Sequence, residues 1–209
     1  MTRTALKLLA KNDPSLGALI TRVGRCKLAP EPERQPFESL VRAVAHQQLH
    51  ARAAARILER FLALFTGSRF PTARALGSVS DEQLRAAGFS ASKTAALRDI
   101  ASKSLEGIIP RRAQLAKLQD EAIIERLVTV RGVGRWTAEM LLIFQLGRPD
   151  VLPVDDFGVR NGFRIAFGLP AMPKPAEVRA RGELWRPHRT TAAWYLWRAA
   201  DAASVPQEI

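Results

Sequence analysis

The chain of 209 residues has one cysteine, Cys26, and one tyrosine, Tyr195. A single thiol excludes an intramolecular disulfide framework, a multi-cysteine zinc site and a four-cysteine iron–sulfur cluster. No apolar run approaches the 18 residues of a membrane span, and no charged-then-apolar leader follows Met1, so a soluble, cytoplasmic protein is expected. Strand-like alternation is also missing, since Ile108-Ile109-Pro110 is too short to start a sheet. Acidic residues are scarce: 20 Asp and Glu stand against 32 Lys and Arg, a formal net charge of +12. With 47% hydrophobic residues, the chain is too apolar for wholesale disorder and has enough to bury a core. The excess charge calls for a polyanionic partner. Because Arg111-Arg112 is the longest basic block, there is no polybasic tail for a membrane surface.

Helical periodicity fills most of the chain. Phe37, Leu40, Val41, Val44 and Ala45 form an i, i+3, i+4, i+7, i+8 stripe. Residues 51–65 continue in the same way and stop at Thr66-Gly67, read as a C-cap. Ser80 and Gln83 form a capping-box pair at the start of 81–87, which ends at Gly88. Further helices are expected over 93–105, 121–129, 135–145, 157–167 and about 188–203. The reading is an all-α chain of nine or ten helices. Proline-rich connectors at 31–36 and 170–175, with a turn at 147–153, suggest a central bundle over 37–149. Residues 1–36 and 150–209 would form a second helical subdomain from both termini.

Two segments carry the chemistry. In Leu127-Val-Thr-Val-Arg-Gly132-Val-Gly134-Arg-Trp-Thr-Ala138 an apolar helix ends, two glycines follow one residue apart, and another helix begins at once. Glycines there permit positive φ and close approach of another backbone. The free N–H groups at the second helix's start make an anion site suited to phosphate. A tight αα-hairpin turn is the plainer reading of Gly-x-Gly alone. The second segment is Val154-Asp155-Asp156-Phe157, two adjacent carboxylates of which one is an N-cap for the following helix.

Together these residues resemble the helix-hairpin-helix DNA glycosylases, and most closely the 3-methyladenine DNA glycosylase II group. Gln47-Gln48-Leu49-His50 is similar to the family's Gln-Gln-Leu loop, Gly88-Phe-Ser-x-x-Lys93 to its lysine turn, and 185–197 to its tryptophan-ended last helix. The resemblance covers about 37–200 and leaves no room for the extra N-terminal β domain of the longer bacterial enzymes. It implies two helical subdomains with a DNA-binding cleft between them. It implies further that Asp156 is the catalytic carboxylate, stabilising the sugar cation as the C1′–N bond breaks, while Asp155 caps or supports. Because the target base must leave the duplex, Gln48 or Leu49 becomes the wedge. Trp197, Met140 and Trp136 would line the base pocket, with Met140 standing where several members carry tyrosine. Gly132, Gly134, Arg135, Thr137, Gln47, Gln48, Leu49, His50 and Lys93 would meet DNA.

Trp136 occupies the position where backbone-cutting members carry a Schiff-base lysine, so the resemblance implies base removal by water alone. No cofactor is implied beyond a structural sodium or potassium ion on the carbonyls of Val128, Val130 and Gly132. His46, His50 and His188 lack the third ligand of a metal site. The expected partner is double-stranded DNA containing alkylated bases, met by a monomer. Two rivals stand beside this reading: a non-catalytic helix-hairpin-helix DNA-binding protein, and a glycosylase-lyase.

Overall fold

In a computed structural model, residues 3–67 and 70–204 are described, and every regular element among them is helical. In chain order they are α1 (Arg3–Asn12), α2 (Pro14–Val23), α3 (Pro36–His46), α4 (Ala51–Leu62), α5 (Ala73–Ser78), α6 (Asp81–Ala86) and α7 (Ala91–Leu105). There follow α8 (Arg112–Leu115), α9 (Asp120–Leu127), α10 (Arg135–Leu141), α11 (Phe157–Ala166), α12 (Pro175–Gly182) and α13 (Arg189–Ser204). A π-turn, Leu142–Leu146, extends α10, and a 3₁₀ turn, Glu183–Trp185, follows α12. None of these helices is long and apolar enough to cross a membrane. The chain divides into two compact units: Glu31–Leu146, and Met1–Pro30 with Gly147–Ile209.

Within unit 31–146, α3 buries the stripe Leu40, Val41, Val44 and Ala45 against α7, α4 and α10. Phe61 gathers Phe65, Phe70 and Phe89 around itself at centroid distances of 5.1, 6.0 and 5.7 Å. The Ser80 capping box is fully made: Gln83 N–H donates to Ser80 Oγ at 3.3 Å, and Ser80 N–H donates to Gln83 Oε1 at 2.9 Å. Helix α4 ends at Leu62, before the expected cap. Ala63 closes it, and Gly67 turns the chain further on at φ +111°.

The other unit is built on α11 and α13. Gly162 allows their contact, because a β-carbon there would lie 1.8 Å from the Leu196 carbonyl oxygen. Trp185, Tyr195, Val159 and Val178 fill the core between them and α2. At its base Asp13, fully buried, caps α2 through Leu16 N–H and accepts from Arg181 (2.8 and 2.8 Å) and Trp185 Nε1 (2.9 Å). Burial pushes the Asp13 carboxyl up, but these donors outweigh it and hold the group below its ordinary value.

Helices α1, α2, α5, α8 and α12 go beyond the sequence reading. α5 and α8 are too short to show a period, and α12 buries only Val178 and Gly182.

Candidate functional site

Asp156 sits at the N-cap of α11, and two N–H groups converge on its Oδ1: Val159 N at 2.7 Å and Trp197 Nε1 at 2.8 Å. Backbone and indole together fix the carboxylate's rotation. The expected division of labour between the two acids is thereby corrected, since the cap is Asp156 itself while Asp155 is exposed. An Asp N-cap reaches back to the third helical N–H from the residue immediately before the helix, which only Asp156 occupies. Trp197 is half-buried against the α11–α13 core and uses its indole N–H on the acid, whereas Trp194, one turn earlier, is a buried core residue.

Gly158 makes that bond sterically feasible. A β-carbon there would stand 2.8 Å from Trp197 Cδ1 and 3.1 Å from Asp156 Oδ1. Sequence reasoning missed this glycine. Its signal was the Gly158/Gly162 pair at i, i+4, a small-residue face on one side of α11.

The hairpin joins α9 to α10. Gly132 is required twice over: its φ is +77°, and a β-carbon would meet Ala96 Cβ at 3.0 Å. Gly134 differs. Its φ is −92°, ψ 173°, an extended conformation open to any residue, and a β-carbon would meet nothing within 4 Å. It is the N-cap of α10 with no side chain to satisfy the first amide groups.

Three residues expected to meet DNA are buried or already have partners within the protein. Arg135 donates both terminal nitrogens to Glu121 (2.7 and 2.8 Å) and Nε to Glu139 (3.2 Å), tying α10 to α9; the Glu121 bond foremost raises its pKa. Thr137 is buried at 5% exposure, as the inward turn of a helix places its third residue. Lys93 donates Nζ to the carbonyls of Ala45 (3.0 Å) and Gln47 (2.7 Å), and burial lowers its pKa.

Gln47 donates Nε2 to the Gly132 carbonyl at 2.8 Å, while Gln48, Leu49 and His50 are exposed. Gln48 has φ +54°, among the described residues the one positive value outside glycine. Trp136 and Met140 line a cavity of about 530 Å³ together with Gln47, Gln48 and Lys93. Met140 also borders one of about 360 Å³ beside Phe144 and Arg34. The carbonyl-bearing residues Val128, Val130 and Gly132 line a separate concavity with Asp99. There Val130 O accepts from Val133 N–H (3.0 Å) and Asp99 from Arg131 N–H (2.7 Å).

Residues 41–187 match the model of the HhH-GPD superfamily of base excision DNA repair proteins. The chain belongs to this superfamily. Its relatives include DNA-3-methyladenine glycosylase 1 of Schizosaccharomyces pombe, 43% identical over 177 residues, 85% of this chain and 78% of the relative. The structure of the S. pombe 3-methyladenine DNA glycosylase Mag1 with abasic DNA superposes at a TM-score of 0.83, with 41% identity over 93% of this chain and 95% of that one. That of a DNA-3-methyladenine glycosidase from Bacillus halodurans gives 0.86, with 33% identity over 96% and 91%. The superfamily match takes in the 47–50 loop, Lys93, the hairpin and Asp156, and it ends before Trp197.

Proposed function

We propose that the chain is a monofunctional DNA glycosylase that flips alkylated purines of the 3-methyladenine and 7-methylguanine type out of duplex DNA and hydrolyses their glycosidic bond. The observation that carries this reading is the Asp156 carboxylate, fixed by Val159 N–H and Trp197 Nε1–H.

An alkylated purine is already cationic, so it leaves C1′ with the bonding electron pair as a neutral base and needs little acid catalysis. Positive charge then develops on the sugar, and a carboxylate held in place stabilises it without reorganising. Water adds to C1′ and gives up a proton, leaving an abasic site. Trp197 anchors the acid, and within unit 31–146 Trp136 and Met140 give their cavity its apolar surface. A Schiff-base route needs an amine that adds to the sugar. Trp136 offers none, and Lys93, on the same cavity, spends its Nζ on two carbonyls.

The hairpin docks a phosphate of double-stranded DNA at the start of α10, where the N-cap Gly134 has no side chain and its missing β-carbon leaves room for an outside atom. Gln48 or Leu49 fills the space the base vacates, and His50 contacts a neighbouring phosphate. Arg135, Thr137 and Lys93 are left out of this contact set. Val128, Val130, Gly132 and Asp99 line one concavity, and although Val130 O and Gly132 O already accept hydrogen bonds, these hard oxygen donors are of the kind a monovalent cation would take there. Such an ion would stiffen the turn and add positive charge near the phosphate. The protein acts as a monomer in this account.

The test is incubation with duplexes carrying 3-methyladenine, 7-methylguanine, hypoxanthine or ethenoadenine, with released bases identified by chromatography and borohydride added in parallel. Release of free alkylpurine with no trapped protein–DNA adduct is expected. Binding without any release would favour a DNA-binding module, and a trapped adduct a lyase.

A further inference from the structure

Lys93, Gln47 and Gln48 form one construction within unit 31–146 that the reaction does not require. Helix α3 ends at His46, and its last carbonyls face the Lys93 ammonium, a cation where the helix dipole favours one. The Gln47 carbonyl, bonded at 2.7 Å, belongs to the peptide plane immediately before Gln48. Gln48 itself holds φ +54°, a left-handed conformation that a side chain adopts only when its surroundings enforce it. On the other side, the Gln47 side chain is tied to the hairpin through Gly132 O at 2.8 Å. The residues so held, Gln48 and Leu49, are solvent-exposed, Leu49 at 40%.

We infer that Lys93 and Gln47 are positioning residues, which lock the 47–49 loop in its strained, insertion-ready shape before DNA arrives. Lys93 clamps the peptide plane that sets Gln48, and Gln47 fixes the loop's distance from the phosphate-docking hairpin. Without the clamp the loop relaxes toward ordinary backbone and must be ordered during each encounter, a cost preorganisation removes. This inference rests on the proposed entry of the 47–49 loop into the duplex. Lys93, in the first turn of α7, is accordingly no phosphate ligand.

Lys93→Met, Lys93→Arg and Gln47→Ala test it. Base release is compared for one alkylated lesion in duplex and in single-stranded DNA, where no gap needs filling. In parallel, a 2-aminopurine opposite an abasic site reports loop insertion by its fluorescence. Lys93→Met is expected to slow duplex release about tenfold, the cost of ordering the backbone of one residue, with single-strand release within about twofold. Its fluorescence rise at saturation should be lost, and Lys93→Arg should restore part of both. Gln47→Ala should show the same split at smaller amplitude. Equal losses on both substrates, or a full fluorescence rise with only a weaker Kd and a shallower salt slope, would overturn the inference in favour of a phosphate contact. Should Lys93→Met fail to fold, Gln47→Ala decides alone: duplex and single-strand rates changing in parallel would reject the clamp. If wild type releases no base from either substrate, the proposed activity fails, while the fluorescence arm still judges the loop.

Discussion

The two hairpin glycines should respond oppositely to the same substitution, and Gly134→Asp isolates the docked phosphate from the fold. At φ −92° and ψ 173°, with no atom within 4 Å of a new β-carbon, the backbone accepts aspartate as it stands. Aspartate is moreover a preferred N-cap, better than glycine by a few tenths of a kcal/mol. The melting temperature should therefore hold or rise slightly. The new carboxylate, however, takes an amide hydrogen that a phosphate would use, and it places like charge beside that phosphate. Two unit charges about 4 Å apart repel by roughly 1 kcal/mol in water and roughly 4 kcal/mol near a protein surface. At 1.4 kcal/mol per decade, Kd for an abasic duplex should rise between about 5-fold and about 10³-fold. Its salt slope should flatten by about one phosphate contact. Fluorescence anisotropy over a salt series, paired with thermal melts, reads both quantities. Gly132→Asp is the control, because φ +77° and the 3.0 Å approach to Ala96 Cβ destabilise the fold itself there. An unchanged Kd for Gly134→Asp, or a melting temperature that collapses as in Gly132→Asp, would refute the reasoning.

Gly158→Ala should push the Trp197 indole off Asp156, lowering kcat at least tenfold with KM for lesion duplex little changed; equal kcat in steady-state assays would remove Gly158 from the site. Trp197→Phe keeps an aromatic ring, though a smaller one, and deletes the N–H to a charged acceptor, worth about 1.5–3 kcal/mol, so single-turnover release should fall about tenfold or more; a rate within twofold of wild type would contradict the anchoring role. Asp13 has a lowered folded-state pKa, so its stabilisation is complete above the unfolded value near 4 and is lost as pH falls through the folded one. Asp13→Asn should cost about 3 kcal/mol at neutral pH and flatten that acid limb in denaturant titrations; a parallel shift at all pH values would count against the pairing.

The helical class was legible because α3 and α4 carry long stripes and because Ser80, Asp156 and the hairpin glycines punctuate the chain. Ser80 behaves as its pattern says, with both capping-box bonds made. What escaped the sequence depends on partners far along the chain. Arg135 reads as a free cation beside a turn, yet Glu121, fourteen residues earlier, takes its guanidinium. Lys93 meets carbonyls 46 and 48 residues away, and no local pattern announces such a contact. The order of the two acids was likewise hidden, since helix register alone decides that Asp156 and not Asp155 receives Val159 N–H. Gly134 looked like its neighbour Gly132, whereas only backbone angles separate a glycine the fold needs from one it does not.

The proposed chemistry turns on the fixed Asp156 carboxylate stabilising the sugar cation. The direct measurement is single-turnover release of 7-methylguanine from duplex DNA by Asp156→Asn, alongside its affinity for an abasic duplex. Asparagine keeps an acceptor for Val159 N–H and Trp197 Nε1–H but loses the charge. A rate lower by about 10²–10³ is expected, in line with removal of one electrostatic stabiliser, with Kd within a fewfold of wild type. Release at the wild-type rate by a folded, DNA-binding Asp156→Asn would contradict it.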